Sequence, residues 1–495
     1  MATALSPSAS GRGMTRPGLP PSGTAIVHLG LGNFHRAHQA VYTAAALDAE
    51  SGPWGIVGVA HSSRRVVDPL IAQGGRYSVL TLDPSGATAE VVAVHTDLLV
   101  SREQPEELLD HLADEDIRVV TLTVTENGYS YDPRTGALDR SLPAVQADLA
   151  GEAPTTAVGQ LARGLERRHR AGGAPLSIVS CDNLSDNGRW TRSLVEEFVE
   201  SMRGEDADDL LAWMDAAVTF PSTMVDRIVP ATEDSHRGAA LELLGVADEV
   251  PVPAEPFHMW VLEDDFAAGR PRWEAAGAIF TDDVEAYELV KLRVLNASNS
   301  MLAYLGLLAG KRYIAEALAT PGVREVVEHL MRVEMLPTLR VPDGIDIDAY
   351  IDETLRRFGN SAVGHRTSQV GSDGSLKLPV RITEPALFHL DRGRPVGAIA
   401  LLVAAYIRCL ASPGAYPATV TGVPSDPRAA DLAAIGGRAG SPKDLVRAVF
   451  DEAGIFPAPL AERGSFVEHV GELYEALVRG GPAAAAKVAQ ERHGS

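Results

Sequence analysis

The chain has 495 residues, 45% hydrophobic and 22% charged, which suits packed cores in two large domains and excludes a disordered or fibrous protein. Lys and Arg number 44 against 66 Asp and Glu, and the net charge of −22 argues against nucleic acid or an anionic membrane as partner. Two cysteines, Cys181 and Cys409, make no disulfide framework, and no apolar run approaches the ~20 residues of a membrane span, so a cytoplasmic protein is expected.

Residues 1–24 are rich in Gly, Pro, Ser and Thr and lack the apolar core of a signal peptide; they read as a disordered tail. After it, β-branched runs alternate with helix-like stretches. TAIVHLGLG (24–32) reads as strand then turn, HRAHQAVYTAAALDAE (35–50) as helix, and WGIVGVA (54–60) as a second strand. RYSVLTL, AEVVAVH, IRVVTLTVTENGY (117–129) and PLSIVSCDNL (175–184) follow as strand-bearing segments, with helical stretches at 103–114 and 157–171. Strands alternating with helices predict a doubly wound, mainly parallel sheet.

Near residue 284 the pattern changes. TDDVEAYELVKLRVLNASNSMLAYLGLLAG (281–310) reads as one long helix, with Asp282 and Glu285 spaced like a capping box. Helical segments follow at 323–335, 347–358, 395–411, 428–436, 442–454 and 466–492, and strand-like runs nearly vanish. The expected fold class is α/β, a Rossmann-type doubly wound N-terminal domain over 25–283 followed by a mostly α-helical C-terminal domain over 284–495.

The first strand runs into Gly30-x-Gly32-x-x-His35 and then a helix. Glycines at such a turn let the backbone bend tightly and approach a pyrophosphate, which points to dinucleotide binding. The third position holds His35 where glycine is usual. His35 and His38 form an H-x-x-H, but no third ligand stands near and no metal is expected. The second strand ends in HSSRR (61–65) without the acid that would hold a ribose 2′-hydroxyl. Hydroxyls beside Arg64 and Arg65 suit a 2′-phosphate, so NADP stands beside NAD as a candidate cofactor.

Within the long helix, Lys291, Asn296 and Asn299 interrupt an apolar run, and Glu288 precedes the lysine by three residues. At α-helical pitch Asn299 lies about 80° and Asn296 about 140° round from Lys291. Burial lowers a lysine pKa in general and makes the amine usable as a base, while amides can donate to an oxygen gaining charge. Lysine plus amides is what alcohol oxidation without a metal requires.

IVHLGLGNFHRAH, TLTVTENGY, SCDNL, FPSTMVDRIVP, EPFHMWVLEDDF, KLRVLNASNS and SDGSLKLP occur in this order, and together they make the chain similar to the mannitol dehydrogenase family. The resemblance implies a zinc-independent polyol dehydrogenase using NAD or NADP, with its active site in a cleft between a Rossmann-type and a helical domain. It implies Lys291 as general base, Asn296 and Asn183 as oxyanion donors, and Glu288 as proton exit. Asp226 and Lys377 would hold substrate hydroxyls, and Gly30, Gly32, Phe34, His35, Arg36 and Glu126 would face the cofactor. Two positions depart from the family pattern: Asn299 replaces the histidine of Lys-x4-Asn-x2-His, and Gln369 stands where some mannitol 2-dehydrogenases carry a substrate-contacting arginine.

The expected partner is a small sugar alcohol or its ketose. A hexuronate or aldonate, as for fructuronate reductase, is the alternative, since GHRTSQVGSDGSLKLP resembles that branch. A mannitol-1-phosphate 5-dehydrogenase is disfavoured because those relatives are shorter. A sugar sensor without turnover is disfavoured because it would need no base. Nothing in the sequence specifies an oligomeric state.

Overall fold

The structure, a computed structural model, describes residues 4–6, 18–202, 207–412, 414–417, 420, 422 and 424–491. It divides into two units at Glu285/Ala286. In the first unit the strands are β1 (Thr24–Leu29), β2 (Gly55–Ala60), β3 (Tyr77–Asp83), β4 (Gly86–Val92), β5 (His95–Val100) and β6 (Val119–Leu122). They continue with β7 (Leu176–Ser180), β8 (Val218–Thr219), β9 (Thr223–Asp226), β10 (Val252–Ala254), β11 (Met259–Leu262) and β12 (Ile279–Phe280).

Six of these form one parallel sheet, in the order β5-β2-β1-β6-β7-β8. Val27 lies opposite Val57 on one side and Val120 on the other. The central strands are apolar at nearly every position because helices cover both faces. Side chains alternate between the two cores with period two. Ile26, Ile56, Val119 and Val179 pack with the helix Gln39–Ala49, while Val27, Val57, Val120 and Ile178 pack with the helices Ala157–Arg170 and Asn187–Ser201. The sheet is the doubly wound, Rossmann-type one expected.

Several local readings change. RYSVLTL leaves the main sheet and pairs with β4 and β10, and β9, β11 and β12 make another three-stranded sheet. AEVVAVH spans the end of one strand and the start of the next, β4 and β5. The stretch 35–50 is two helices, Asn33–Ala37 and Gln39–Ala49, broken at His38 (φ −129°, ψ −89°). Most of the expected disordered tail lies outside the described residues, but residues 4–6 are described. Leu5 is fully buried against Val91, Leu244 and Val246, and its amide donates to Ala247 O at 2.7 Å.

The second unit is helical; among its described residues the only β contact is a bridge between Tyr313 and Arg366. The helix expected over 281–310 is not continuous. An α-helix runs Val284–Val290, a π-helical segment Lys291–Asn296, and a further α-helix Ala297–Leu308. Because it starts at Val284, Asp282 lies one residue too early to cap it; Asp283 directly precedes it, its amide donating to Thr281 Oγ1 at 3.1 Å. Helix Gly374–Leu390 contains Pro379 and Pro385, which conceal it in the sequence. The almost wholly buried helix Gly397–Ala411 has its first amides satisfied by a buried carboxylate: Ala398 N and Ile399 N each donate to Glu334 at 2.8 Å.

Candidate active site

The glycine turn in the first unit is built by a close approach. Gly30 adopts φ +106°, and a Cβ there would lie 2.2 Å from Thr123 O, so only glycine fits. Thr123 Oγ1 donates to Gly30 O at 2.9 Å, and His28 Nε2 lies 3.1 Å from the same oxygen. A Cβ on Gly32 would meet only Gly30 O, at 3.7 Å, so a side chain there would fill space beside the turn. That space is a groove of about 560 Å³ lined by Gly30, Gly32, Ser62, Arg65, Arg102 and Asn127 among others, at the first strand–helix turn where a doubly wound fold binds a dinucleotide.

His35, in the third glycine position, turns inward. Its ring stacks on His28 at 3.4 Å between centroids, and its Nε2 lies 3.1 Å from His95 Nε2. Helix and strand therefore meet through stacked imidazoles. Burial holds all three histidines uncharged: His28 and His95 are lowered to about 3, and His35 falls well below its ordinary value. His38 also points inward, to Met259 O at 3.0 Å. Arg36 is 1% exposed and donates to Val250 O at 2.6 Å and Asn33 Oδ1 at 2.8 Å. Neither His35 nor Arg36 lines the groove; both hold the fold beneath it. Phe34 stacks on His38, with 4.9 Å between centroids.

The other wall comes from the loop after β6. Thr125 sits at φ 64°, ψ 164°, a strained conformation for a β-branched residue. It is held by Asp182, whose two oxygens accept from Thr125 N at 2.8 Å and Val124 N at 3.0 Å. Tyr129 OH donates to the same carboxylate at 2.9 Å. Burial raises the Asp182 pKa. Asn127, Gly128 and Ser130 of this loop line the groove, while exposed Glu126 does not. Asp182 was not singled out in the sequence, although it adjoins Asn183.

Asn183 lies just beyond β7, and Asp226 ends β9. The two segments are tied by Thr223 Oγ1 donating to Ser180 O at 2.6 Å and Asn187 Nδ2 to Thr223 O at 3.0 Å. Asn183 is exposed, and Asp226 is 5% exposed.

At the end of β2 the two arginines separate. Arg64 Nε donates to Glu103 at 2.8 Å and its Nη1 lies 3.2 Å from Asp68, so it turns away from the groove. Arg65 lines it. So does Arg102, beyond β5, which the sequence reading missed because its own strand was not recognised.

In the second unit, Lys291 and Asn296 are the first and last residues of the π segment, closed by Ala297 N donating to Leu292 O. Lys291 is 8% exposed; Asn296 and Glu288 are half-buried. An i→i+5 ladder returns residue five to nearly the same side of the helix, so the roughly 140° expected from α pitch does not apply. Asn299 follows one turn later, and its Oδ1 is buried with no hydrogen-bond partner. Arg381 Nη1 donates to Asn296 O at 3.0 Å and Ser300 Oγ at 2.6 Å, and burial lowers its pKa to about 10. Lys377, four residues earlier, shares that helix face; its Nζ donates to Ser372 O at 2.8 Å. Gln369 is exposed on the short helix Thr367–Val370. Among the described residues no group of three or more His, Cys, Asp or Glu could hold a metal ion, and no helix is long and apolar enough to cross a membrane.

Residues 24–275 match the model of the mannitol dehydrogenase Rossmann domain, and residues 283–478 that of the mannitol dehydrogenase C-terminal domain. The D-mannonate oxidoreductase of Escherichia coli is 36% identical over 465 residues, 92% of this chain and 93% of that protein. The polyol:NADP oxidoreductase of Gluconobacter oxydans is 37% identical over 391 residues, 78% of this chain and 80% of that one. The solved ternary complex of Pseudomonas fluorescens mannitol 2-dehydrogenase with NAD and D-mannitol aligns at a TM-score of 0.81 and 33% identity, covering 97% of this chain and 98% of that one.

Proposed function

The chain belongs to the mannitol dehydrogenase family of NAD(P)-dependent polyol and sugar-acid oxidoreductases, and from that premise we propose that it interconverts a mannitol-like alditol and its ketose with Lys291 as general base and no metal. The reading is supported most by Lys291 and Asn296 at the ends of one π turn, with the buried, unpartnered Asn299 Oδ1 beside them.

A dinucleotide held in the groove beside Gly30 and Gly32 would supply the hydride acceptor. Uncharged Lys291 takes the hydroxyl proton as the hydride leaves the same carbon and the C=O bond forms. The Asn296 amide donates to the oxygen while charge develops on it, and Asn183 of the first unit is the second donor in this reading. Asn299 Oδ1 accepts from a neighbouring substrate hydroxyl, and Asp226 and Lys377 hold the remaining ones. Glu288 relays the proton from the lysine. In the reverse direction the Lys291 ammonium returns the proton to the oxygen as the ketone is reduced.

A second reading, a sugar acid in place of the alditol, is favoured by Arg381. Among the described residues it has no carboxylate partner, and it shares a helix face with Lys377. The experiment is a screen of alditols, ketoses, aldonates and hexuronates with NAD and NADP, in the presence of a chelator. Chelator-insensitive oxidation of an alditol is the expected result. Turnover confined to acids selects the second reading, and no turnover of any substrate overturns both.

A further inference from the structure

The chain carries 66 acidic residues against 44 basic ones, yet the groove beside the glycine turn is lined by no aspartate or glutamate. It is lined by two arginines, Arg65 and Arg102, and by the hydroxyls of Ser62, Ser63 and Ser101. These gather at one end of it, where β2 and β5 stop. Ser101 N donates to Ala60 O at 2.8 Å and Arg102 N to His61 O at 3.1 Å, so the two strand ends are zipped together and Arg102 is fixed beside His61. The helix Arg64–Ala72 begins at the same place, capped by Ser63, whose hydroxyl accepts from Arg65 N at 3.3 Å.

The pairing of charges here is selective. Glu103 and Asp68 neutralise Arg64, which points away, whereas neither Arg65 nor Arg102 has a carboxylate partner among the described residues. In a doubly wound fold the end of the second strand is where the adenosine ribose lies; an acid there would bind the 2′-hydroxyl and repel a 2′-phosphate. An acid-free end with two unpaired guanidiniums has the opposite preference, because guanidinium–phosphate contacts are charge-assisted and often bidentate.

We propose that this end of the groove is a phosphate subsite selecting NADP(H) over NAD(H), in which Arg65 and Arg102 hold the 2′-phosphate and Ser62 adds a hydrogen bond. The subsite rests on the dinucleotide-binding reading of the groove but not on the identity of the sugar substrate.

Equilibrium binding of NADPH and NADH to the full chain without substrate tests it. NADPH is expected to bind at least about tenfold more tightly, and 2′-AMP to displace it far better than 5′-AMP. Arg65→Ala with Arg102→Ala should weaken NADPH by about 10- to 100-fold and leave NADH within about twofold, as loss of charged hydrogen bonds predicts. Arg64→Ala should change neither. Equal or tighter binding of NADH by the native chain, or a double variant that keeps its NADPH affinity, overturns the subsite. Binding of neither nucleotide overturns it together with the dinucleotide reading. NADPH selectivity without turnover of any polyol or sugar acid leaves the subsite standing while the proposed reaction falls.

Discussion

Lys291 and Asn296 close the two ends of a single π turn, and the guanidinium of Arg381 is bonded to the carbonyl of Asn296. π turns are rare and occur often at functional sites, since they re-aim side chains that α pitch would separate. In the proposed alditol reaction Arg381 would act as a positioning residue for this pair. Arg381→Met is expected to lower kcat by about tenfold or more, roughly 1.4 kcal/mol, while the Kd of the cofactor stays unchanged. Arg381→Lys, which keeps one donor, should recover part of the rate. If both variants lost thermal stability but kept kcat, the residue would be structural only.

Asp182 holds the strained Thr125 at the start of the loop whose Asn127, Gly128 and Ser130 line the groove. Asp182→Asn replaces one of two acceptors by a donor facing a partly buried backbone N–H, which removes one of the two bonds that hold the Val124–Thr125 backbone. The expected result is a rise of the cofactor KM larger than any fall in kcat, read by steady-state kinetics with cofactor varied. An unchanged cofactor KM would show that the loop does not shape the groove.

Asn299 occupies a position at which the family pattern has histidine, and it offers a buried acceptor that does not titrate. If its role is to position a substrate hydroxyl, the native chain is active and Asn299→His changes kcat/KM by no more than about tenfold. An inert native chain activated by this substitution, with a new pH dependence near a histidine pKa, would assign the position to charge and favour a sensor.

The stacked histidines below the glycine turn set a pH dependence of stability. His28 and His95 have folded pKa values of about 3 against 6.5 ordinarily, and Arg36 adds to the burial that lowers His95. Between those values the unfolded chain binds more protons than the folded one, so stability is full above pH 6.5 and is lost as pH falls towards 3. Each such histidine contributes a slope of about 1.4 kcal/mol per pH unit within that window. Unfolding midpoints measured from pH 7.5 to 4.5 should fall, and His95→Gln should flatten the fall by about one proton. A pH-independent midpoint in the native chain would contradict the buried neutral trio.

What was legible in the sequence follows from what side-chain pattern can encode. The run TAIVHLG reads as a strand and Gly30 as a tight turn after it, while the burial of that strand on both faces and the close approach that only glycine permits emerge from the packing. The helical half was legible from its periodicity, with Ile347–Phe358 placed to the residue. The π turn was not, because a shifted backbone ladder leaves the composition of KLRVLN unchanged. Gly374–Leu390 was hidden by Pro379 and Pro385, which the surrounding packing tolerates. The stacking of His35 on His28 depends on how the helix Asn33–Ala37 turns back on β1, and the placing of Arg65 and Arg102 on one groove depends on the pairing of β2 with β5, neither of which residue spacing encodes. Asp182 escaped notice because its function, holding Thr125, is carried by backbone bonds that no spacing predicts.

The most direct test of the account is the rate of alcohol oxidation by Lys291→Met across pH, with binding of NADPH measured alongside. With Lys291 as the base, kcat falls on the order of 10²-fold or more at every pH, as loss of a general base does, while the Kd for NADPH stays within about twofold. Near-native turnover by Lys291→Met over the same pH range would contradict it.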